Sequence, residues 1–248
     1  MVIVHTSTAL DKLRESARIV AVVHRELKRR IVTGVTTVEL EEVTKEIIKQ
    51  AGGKPAFLGY RGYPYAICTS LNNVIVHGFP DDRELEEGDI IGVDVGVVKD
   101  GYYGDAGFTV GVGNISDEAK GLIETAWECL NDAILAVSEG TTTGTIGNII
   151  NQHASNKGYS VVKNYIGHGI GREMHEEPAI PNYGREADGI RLKAGMCICI
   201  EPMLCVGRSE NHRLTDGWTV VTDDGSLAAH VEHQVIVHKN YGEIITCL

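Results

Sequence analysis

Hydrophobic residues recur at the three- and four-residue spacing of amphipathic helices in four stretches of the chain. The predicted helices are residues 8–33, a segment from Thr36 to Gly52, a segment from near Ser116 to Gly140, and a segment of about 143–158. Thr8 with Asp11, and Thr36 with Glu39, have the spacing of N-terminal capping pairs. Strand-like apolar runs lie between and after the helices.

Two segments of the chain resemble each other at a fixed distance. Gly-Val-Thr-Thr-Val-Glu-Leu (34–40) matches Gly-Thr-Thr-Thr-Gly-Thr-Ile (140–146) at an offset of 106, and Gly52 meets Gly158 at the same offset. This similarity indicates either a diverged internal repeat, about 8–112 and 116–248, or only a common helix-start signal after a glycine.

Each half has the order helix, helix, strands, which favours an α+β fold with helices covering one face of a largely antiparallel sheet. No linker rich in proline, serine or charge separates the halves. We therefore expect residues 1–248 to form a single domain.

Composition and charge narrow the classes of function. The chain has 248 residues, of which 43% are hydrophobic and 23% charged, and a net charge of -11 opposes binding to a phosphate backbone, so we expect no nucleic-acid partner. No apolar run approaches the roughly 20 residues of a membrane span, and the N-terminus lacks the features of a signal peptide. We expect a cytoplasmic chain without a membrane partner. The six cysteines lack paired spacing and are expected to be reduced, mostly buried thiols.

A hairpin signal brings two aspartates together. Asp100-Gly101 separates two apolar runs, and a two-residue turn there places Asp94 opposite Gly107. Asp105 then shares a face with Asp94, one diagonal step away. Two carboxylates buried this close require a shared proton or a cation between them.

The second half supplies matching acids. Glu201 ends the apolar run Met-Cys-Ile-Cys-Ile (196–200), 107 residues after Asp94, and Glu232 lies in a later strand where it can face Glu201. Four acids in one low-dielectric site call for about two divalent ions. Glu232 is also compatible with a polar position of an edge strand.

Three histidines complete the candidate set. Glycines around His168 leave its ring accessible, and an imidazole joined to carboxylates favours Mn, Fe, Co or Zn over Mg or Ca. His77 and His175 lie in loop-like settings and are candidates for proton transfer or substrate hydrogen bonding. Dinucleotide-binding, P-loop, zincin and serine-hydrolase motifs are absent from the sequence.

The set Asp94, Asp105, His168, Glu201 and Glu232, with the residues around it, resembles the dimetal centre of the bacterial-type, type I methionine aminopeptidases. The motifs that carry the resemblance are Asp-Val-Gly-Val-Val-Lys-Asp-Gly-Tyr-Tyr-Gly-Asp (94–105), Gly-His-Gly-Ile-Gly (167–171), Met-His-Glu-Glu-Pro (174–178), Ile-Glu-Pro-Met (200–203) and Val-Glu-His-Gln (231–234). The resemblance spans essentially the whole chain and implies the pita-bread fold, in which two pseudo-symmetric α+β halves enclose a central site.

The resemblance also implies roles for single residues. Asp94 would bind one ion, His168 and Glu201 the other, and Asp105 and Glu232 would bind both, so that a shared hydroxide attacks the peptide bond. Glu201 would also accept and shuttle the proton, and His77 and His175 would hold the peptide amide and the oxyanion-like intermediate. The methionine side chain would be bound by five residues: Tyr60, Tyr63, Cys68, Met174 and Trp218. A plain core role for Cys68 and Met174 is the alternative.

Three positions depart from the family pattern: Phe57, Arg61 and Gln234, the last standing where threonine is usual. At these positions the resemblance does not predict the shape of the pocket or the residues behind the ligands. The predicted reaction class is unaffected.

The resemblance implies a metal-dependent aminopeptidase that removes the initiator methionine when the second residue is small. We expect two divalent ions (Co, Mn, Fe or Zn), N-terminal methionyl peptides and nascent chains as substrates, association with the ribosome, and a monomer. Two alternatives stay open: a proline-directed peptidase of the same fold, and a non-catalytic pita-bread binding protein.

Overall fold

The computed structural model describes residues 2–248. It contains four α-helices: α1 (Ser7–Arg30), α2 (Thr37–Gln50), α3 (Asp117–Leu135) and α4 (Thr143–Asn156). All four predicted helices are present, each ending a few residues earlier than expected. The capping pair Thr36 and Glu39 forms a complete capping box. The pair predicted at Thr8 is wrong, because Thr8 already lies within the first turn and Thr6 accepts the hydrogen bond from the Ala9 N–H.

Fifteen short strands complete the fold. In chain order they are β1 (Lys54–Pro55), β2 (Cys68–Leu71), β3 (Val74–Val76), β4 (Ile90–Lys99), β5 (Tyr102–Gly111), β6 (Ser160–Val161), β7 (Gly167–Gly169), β8 (Glu176–Ile180), β9 (Cys197–Ile200), β10 (Met203–Cys205), β11 (Asn211–Arg213), β12 (Val220–Thr222), β13 (Ala228–His230), β14 (His233–Val237) and β15 (Gly242–Ile244).

The strands form four sheets, and all the pairings between described strands are antiparallel. The first sheet has the order β1-β4-β2 with β5 paired to β4, and the largest has the order β15-β14-β9-β7-β8. Two three-stranded sheets have the orders β13-β10-β6 and β11-β12-β3. The α+β class with antiparallel sheets is confirmed.

The β4–β5 hairpin forms as predicted. Asp100 and Gly101 both have positive φ, 51° and 76°, as a tight hairpin turn requires. Asp94 pairs with Gly107, and Gly96 pairs with Asp105. Because residues two apart share a face, both aspartates point to the same side of the sheet.

The same local features recur in both halves. Thr36 and Thr142 are the N-caps of α2 and α4, and each makes an isolated β-bridge, to Glu84 and to Arg191 respectively. The glycines at 34, 52, 140 and 158 all have positive φ. The two matched segments therefore begin a helix in the same way, and the internal repeat stays a prediction.

Each half has its own hydrophobic core. One core gathers residues of α1, α2 and the β4–β5 hairpin, and the other gathers α3, α4 and the strands of the second half. Trp127 of α3 packs against both. The six cysteines are free thiols, and five of them are buried, as expected. Within residues 2–248, none of the helices combines the length and the apolar character that a bilayer crossing requires.

Helix α1 lies directly on the backbone of β5. A Cβ placed on Gly104 would come within 2.6 Å of the Ala17 nitrogen and of the Ser16 carbonyl carbon, so only glycine allows this approach. At the other end of the chain, Arg14 of α1 donates two hydrogen bonds, of 2.8 and 2.7 Å, to the carboxylate of Glu243 in β15. The first helix is thus fixed to the last strand.

We expect Gly104→Ala to destabilise the protein by about 1–3 kcal/mol, because the added methyl group forces α1 away from β5. Urea unfolding followed by circular dichroism measures the effect. Gly92→Ala on the neighbouring strand is the matched control, since the nearest atom to a Cβ there is the Thr109 hydroxyl at 3.3 Å. Equal losses in the two variants would contradict the close packing at Gly104.

We expect the ion pair of Arg14 and Glu243 to make the free energy of unfolding depend on pH in the acid range. Arg14 lowers the pKa of Glu243 from 4.5 to about 2, so the stabilisation is complete above pH 4.5 and is lost as the pH falls through about 2. The pair is partly solvent-exposed, so we expect Glu243→Gln to cost at most about 1 kcal/mol. The difference in unfolding free energy between wild type and variant should shrink between pH 6 and pH 2.5; a constant difference would refute this assignment.

Candidate active site

The β4–β5 hairpin brings two carboxyl groups into the interior. Asp105 is buried and Asp94 is partly buried. One oxygen of each, Oδ1, is inaccessible to solvent and has no hydrogen-bond partner among residues 2–248. Such unpaired buried acceptors are costly unless something absent from the protein chain satisfies them.

The second half adds Glu201 and Glu232. Glu201 directly follows β9, and Glu232 lies in the two-residue link between β13 and β14, so its placement within a strand was wrong. The Glu232 N–H donates a 2.8 Å hydrogen bond to the Gly107 carbonyl of β5, which leaves this segment outside the ladder of β14. Gly107 permits the approach, since a Cβ there would lie 2.8 Å from the ring of His230.

His168 lies on β7 beside these carboxylates. Its Nδ1 hydrogen-bonds the Gly169 carbonyl at 2.9 Å, which leaves Nε2 as the atom with a free lone pair. Nε2 lies 3.6 Å from Asp105 Oδ2 and 3.7 Å from Glu201 Oε1. These separations are long for hydrogen bonds but short enough for atoms that share a cation.

Burial shapes the protonation of the whole group. Burial raises the pKa of Asp94 to about 7, and burial together with the neighbouring carboxylates raises the pKa of Asp105 and of Glu232 well above their usual values. Burial lowers the pKa of His168 to about 4, so its ring is neutral at pH 7. Neutral imidazole and crowded carboxylates are the donors that a divalent cation binds.

The donor atoms are also close enough to one another to bind an ion. One ligand atom from each of four buried residues, Asp105, His168, Cys199 and Glu232, lies within 4.8 Å of the other three. Oxygen Oε1 of Glu232, like the two aspartate oxygens, has no partner within residues 2–248. The residues present therefore fit divalent metal ions.

His77 and His175 face the same space. The Tyr60 hydroxyl lies 2.8 Å from His175 Nδ1, and the His175 and His168 ring centroids are 4.2 Å apart. His77 has a positive φ of 60°, an uncommon conformation that holds its ring against Tyr165 and Trp218. Burial lowers the pKa of both histidines to about 4, so both are neutral at pH 7.

An apolar wall completes the site. Tyr63 and Trp218 pack edge to face with centroids 5.1 Å apart, and Cys68 pairs with Asp94 across β2 and β4. Met174 is buried, and it packs in the same cluster. These apolar residues and the carboxylates line the same cavity.

All twelve candidate residues from the sequence line one cavity of about 190 Å³. They are Tyr60, Tyr63, Cys68, His77, Asp94, Asp105, His168, Met174, His175, Glu201, Trp218 and Glu232. Phe57 and Arg61, two of the departures from the family pattern, also line it. Their position agrees with an effect on the shape of the pocket.

Other residues of the site were not candidates from the sequence. Tyr165, Ile166 and Met203 line the cavity, and Cys199 joins the donor cluster from the apolar face of β9. His230 was missed although it precedes Glu232 by two residues; its Nε2 lies 3.5 Å from Glu201 Oε2. Burial favours the neutral ring, but Glu201 and Asp94 raise the pKa of His230. The signal in the sequence is its position two residues before Glu232 in the run Ala-Ala-His-Val-Glu-His (228–233).

The chain is similar to known proteins along nearly its whole length. The model of metallopeptidase family M24 matches residues 11–239. Methionine aminopeptidase 1 of Bacillus subtilis is 42% identical over 99% of both chains, and the methionine aminopeptidase of Clostridium perfringens is 41% identical over 100% of both.

Solved structures give the same result for the fold. The crystal structure of methionine aminopeptidase from Thermotoga maritima superposes with a TM-score of 0.99 at 41% identity, covering 100% of both chains. The Xaa-Pro dipeptidase of Bacillus anthracis, at 22% identity and a TM-score of 0.78, shares the fold over 98% of this chain and 61% of that chain. The predicted pita-bread fold is confirmed. The chain belongs to metallopeptidase family M24 and, within it, to the methionine aminopeptidases.

Proposed function

We propose that this chain removes the N-terminal methionine from new polypeptides whose second residue is small. The observation that carries the proposal is a single cavity with two unlike sets of lining residues. Four carboxylates and three histidines line it together with aromatic and sulfur-containing side chains, which pack into one apolar cluster. A polarizable apolar wall suits a thioether side chain.

We propose that two divalent ions act here, chosen from Co, Mn, Fe and Zn by availability. Asp94 would hold one ion, His168 and Glu201 the other, and Asp105 and Glu232 both. The partnerless oxygens of Asp94, Asp105 and Glu232 support this assignment. Bound divalent ions lower the pKa of water and polarise a peptide carbonyl.

The side chains of the protein supply the remaining steps. Glu201 keeps part of its carboxyl group open to the cavity, where it can accept a proton and pass it to the leaving amine. If the Tyr60 hydroxyl donates to His175 Nδ1, the proton of that neutral ring is on Nε2, which then donates to the substrate. His77 lines the same cavity, and together the two rings would hold the peptide amide and the developing negative charge.

We further propose that residues 1–248 work as one catalytic domain, because both halves contribute to the cavity. The proposed substrates are N-terminal methionyl peptides and nascent chains. We also propose that the protein is a monomer and that it acts in the cytoplasm in association with the ribosome.

The proposed activity predicts methionine release from a Met-Gly peptide and much less from a Met-Leu peptide. Chromatography of the products of the cobalt- or manganese-loaded protein measures both, and a chelator should abolish the activity. Xaa-Pro peptides test the proline-directed alternative. Absence of methionine release from both Met peptides, with metal binding verified, would reject the proposal.

His175→Ala should lower kcat roughly 10²- to 10³-fold, because one donor to the developing charge is lost. Metal affinity, measured by titration calorimetry, should stay within twofold of wild type. His153→Ala is the matched control, since His153 pairs with Asp132 and Glu128 away from the cavity. If both variants keep full activity, His175 has no role in the reaction.

A further inference from the structure

Strand β5, which carries Asp105, has one edge without a strand partner. Among the described strands it pairs only with β4. Its outer edge, formed by the backbone groups of Tyr103, Asp105 and Gly107, faces the second half of the chain. The Tyr103 N–H donates to the Gly171 carbonyl at 2.9 Å, and the Gly107 carbonyl accepts from Glu232. Next to the first of these bonds, the Tyr103 carbonyl and the Asp105 N–H lie on the same edge.

One side chain hydrogen-bonds to both of these groups. Gln234 Nε2 donates to the Tyr103 carbonyl at 3.3 Å, and Gln234 Oε1 accepts from the Asp105 N–H at 3.1 Å. A carboxamide carries a donor and an acceptor at once, so it replaces one residue of a missing strand. Threonine has one short hydroxyl, and glutamate has no donor, so neither can form both bonds.

Gln234 is itself held firmly in place. Its backbone pairs with Cys199 in the β14–β9 ladder, and its N–H donates to Thr246 Oγ1 at 3.2 Å. The side chain is completely buried, and Nε2 also lies 3.2 Å from Cys197 Sγ. The carboxamide therefore links β14 to β5 at a fixed distance.

We propose that Gln234 is a positioning residue that fixes the backbone of Asp105 relative to Glu232, and thereby holds the metal site in register. The inference rests on the proposed metal-binding role of these two acids. They come from opposite halves of the chain, and the Gln234 carboxamide and the Glu232 N–H are successive bonds along the same edge. Gln234 is not among the residues that line the cavity, and its carboxamide hydrogen-bonds to the backbone of β5.

Gln234→Met keeps the size of the side chain and removes both hydrogen bonds. In the metal-free protein, we expect the Asp105 amide to exchange its hydrogen at least about tenfold faster, as measured by ¹⁵N NMR, because its acceptor is lost. Titration calorimetry with cobalt should show a Kd roughly 10- to 100-fold weaker, as for other residues that orient metal ligands. In turnover of a Met-Ala peptide, kcat should fall while KM stays within twofold.

Ser16→Ala is the matched control. The Ser16 hydroxyl is buried and donates to the Tyr102 carbonyl at 2.9 Å, so this variant also loses a buried bond to β5, but outside the stretch that Gln234 holds. It should leave both the Asp105 exchange rate and the cobalt Kd unchanged. Gln234→Thr, which carries the residue usual in the family, serves if Gln234→Met fails to fold and should weaken cobalt binding in the same direction.

Two results would overturn the proposal. One is a cobalt Kd or an Asp105 exchange rate within twofold of wild type in the folded Gln234 variant. The other is an equal weakening of cobalt binding in Ser16→Ala. If the wild-type protein binds cobalt but releases no methionine, the proposed function fails, while the comparison of the variants still decides the role of Gln234.

Discussion

The mutual repulsion of carboxyl groups enclosed by apolar strands is the constraint on which the site depends. Asp105 and Glu232 are almost completely inaccessible to solvent, and Asp94 and Glu201 lie beside them. Burial and the neighbouring carboxylates disfavour the charged forms and so raise the pKa of Asp94, Asp105 and Glu232. Bound divalent cations would offset this repulsion, because they replace protons and accept lone pairs from oxygens that have no hydrogen-bond partner in the described chain.

The fold brings the two halves of the chain close enough to form this site. Glycines at 104 and 107 remove the side chains that would keep α1 and the segment 230–232 away from β5. Backbone and side-chain hydrogen bonds then join β5 to the second half, and Arg14 joins α1 to Glu243 in β15. Packing by Trp127 against both cores adds a hydrophobic contact between the halves. Precise placement of the acids is thus a property of the whole chain.

Burial acts in opposite directions on the acids and the histidines, and both effects serve the chemistry. The same low dielectric that raises the pKa of the carboxyl groups keeps His77, His168 and His175 neutral. A neutral ring can offer a lone pair from one nitrogen and a proton from the other, which is what a metal ligand and a hydrogen-bond donor to substrate require. His230 is the exception, because Glu201 and Asp94 favour its protonated form.

The sequence by itself determined the four helices, the turn at Asp100-Gly101 and the shared face of Asp94 and Asp105, because helix periodicity, turn chemistry and strand alternation are local rules. The sequence, with its family resemblance, also identified twelve of the residues that line the cavity. The tertiary structure decided what depends on distant segments meeting. Glu232 lies outside the strands, and its N–H donates to the Gly107 carbonyl. His230 and Cys199 lie beside the acids. The Gln234 side chain hydrogen-bonds to the edge of β5 that has no strand partner. Residues separated by more than a hundred positions, such as Asp105 and Gln234, carry no periodic signal of their contact; only the packing of the two halves creates it.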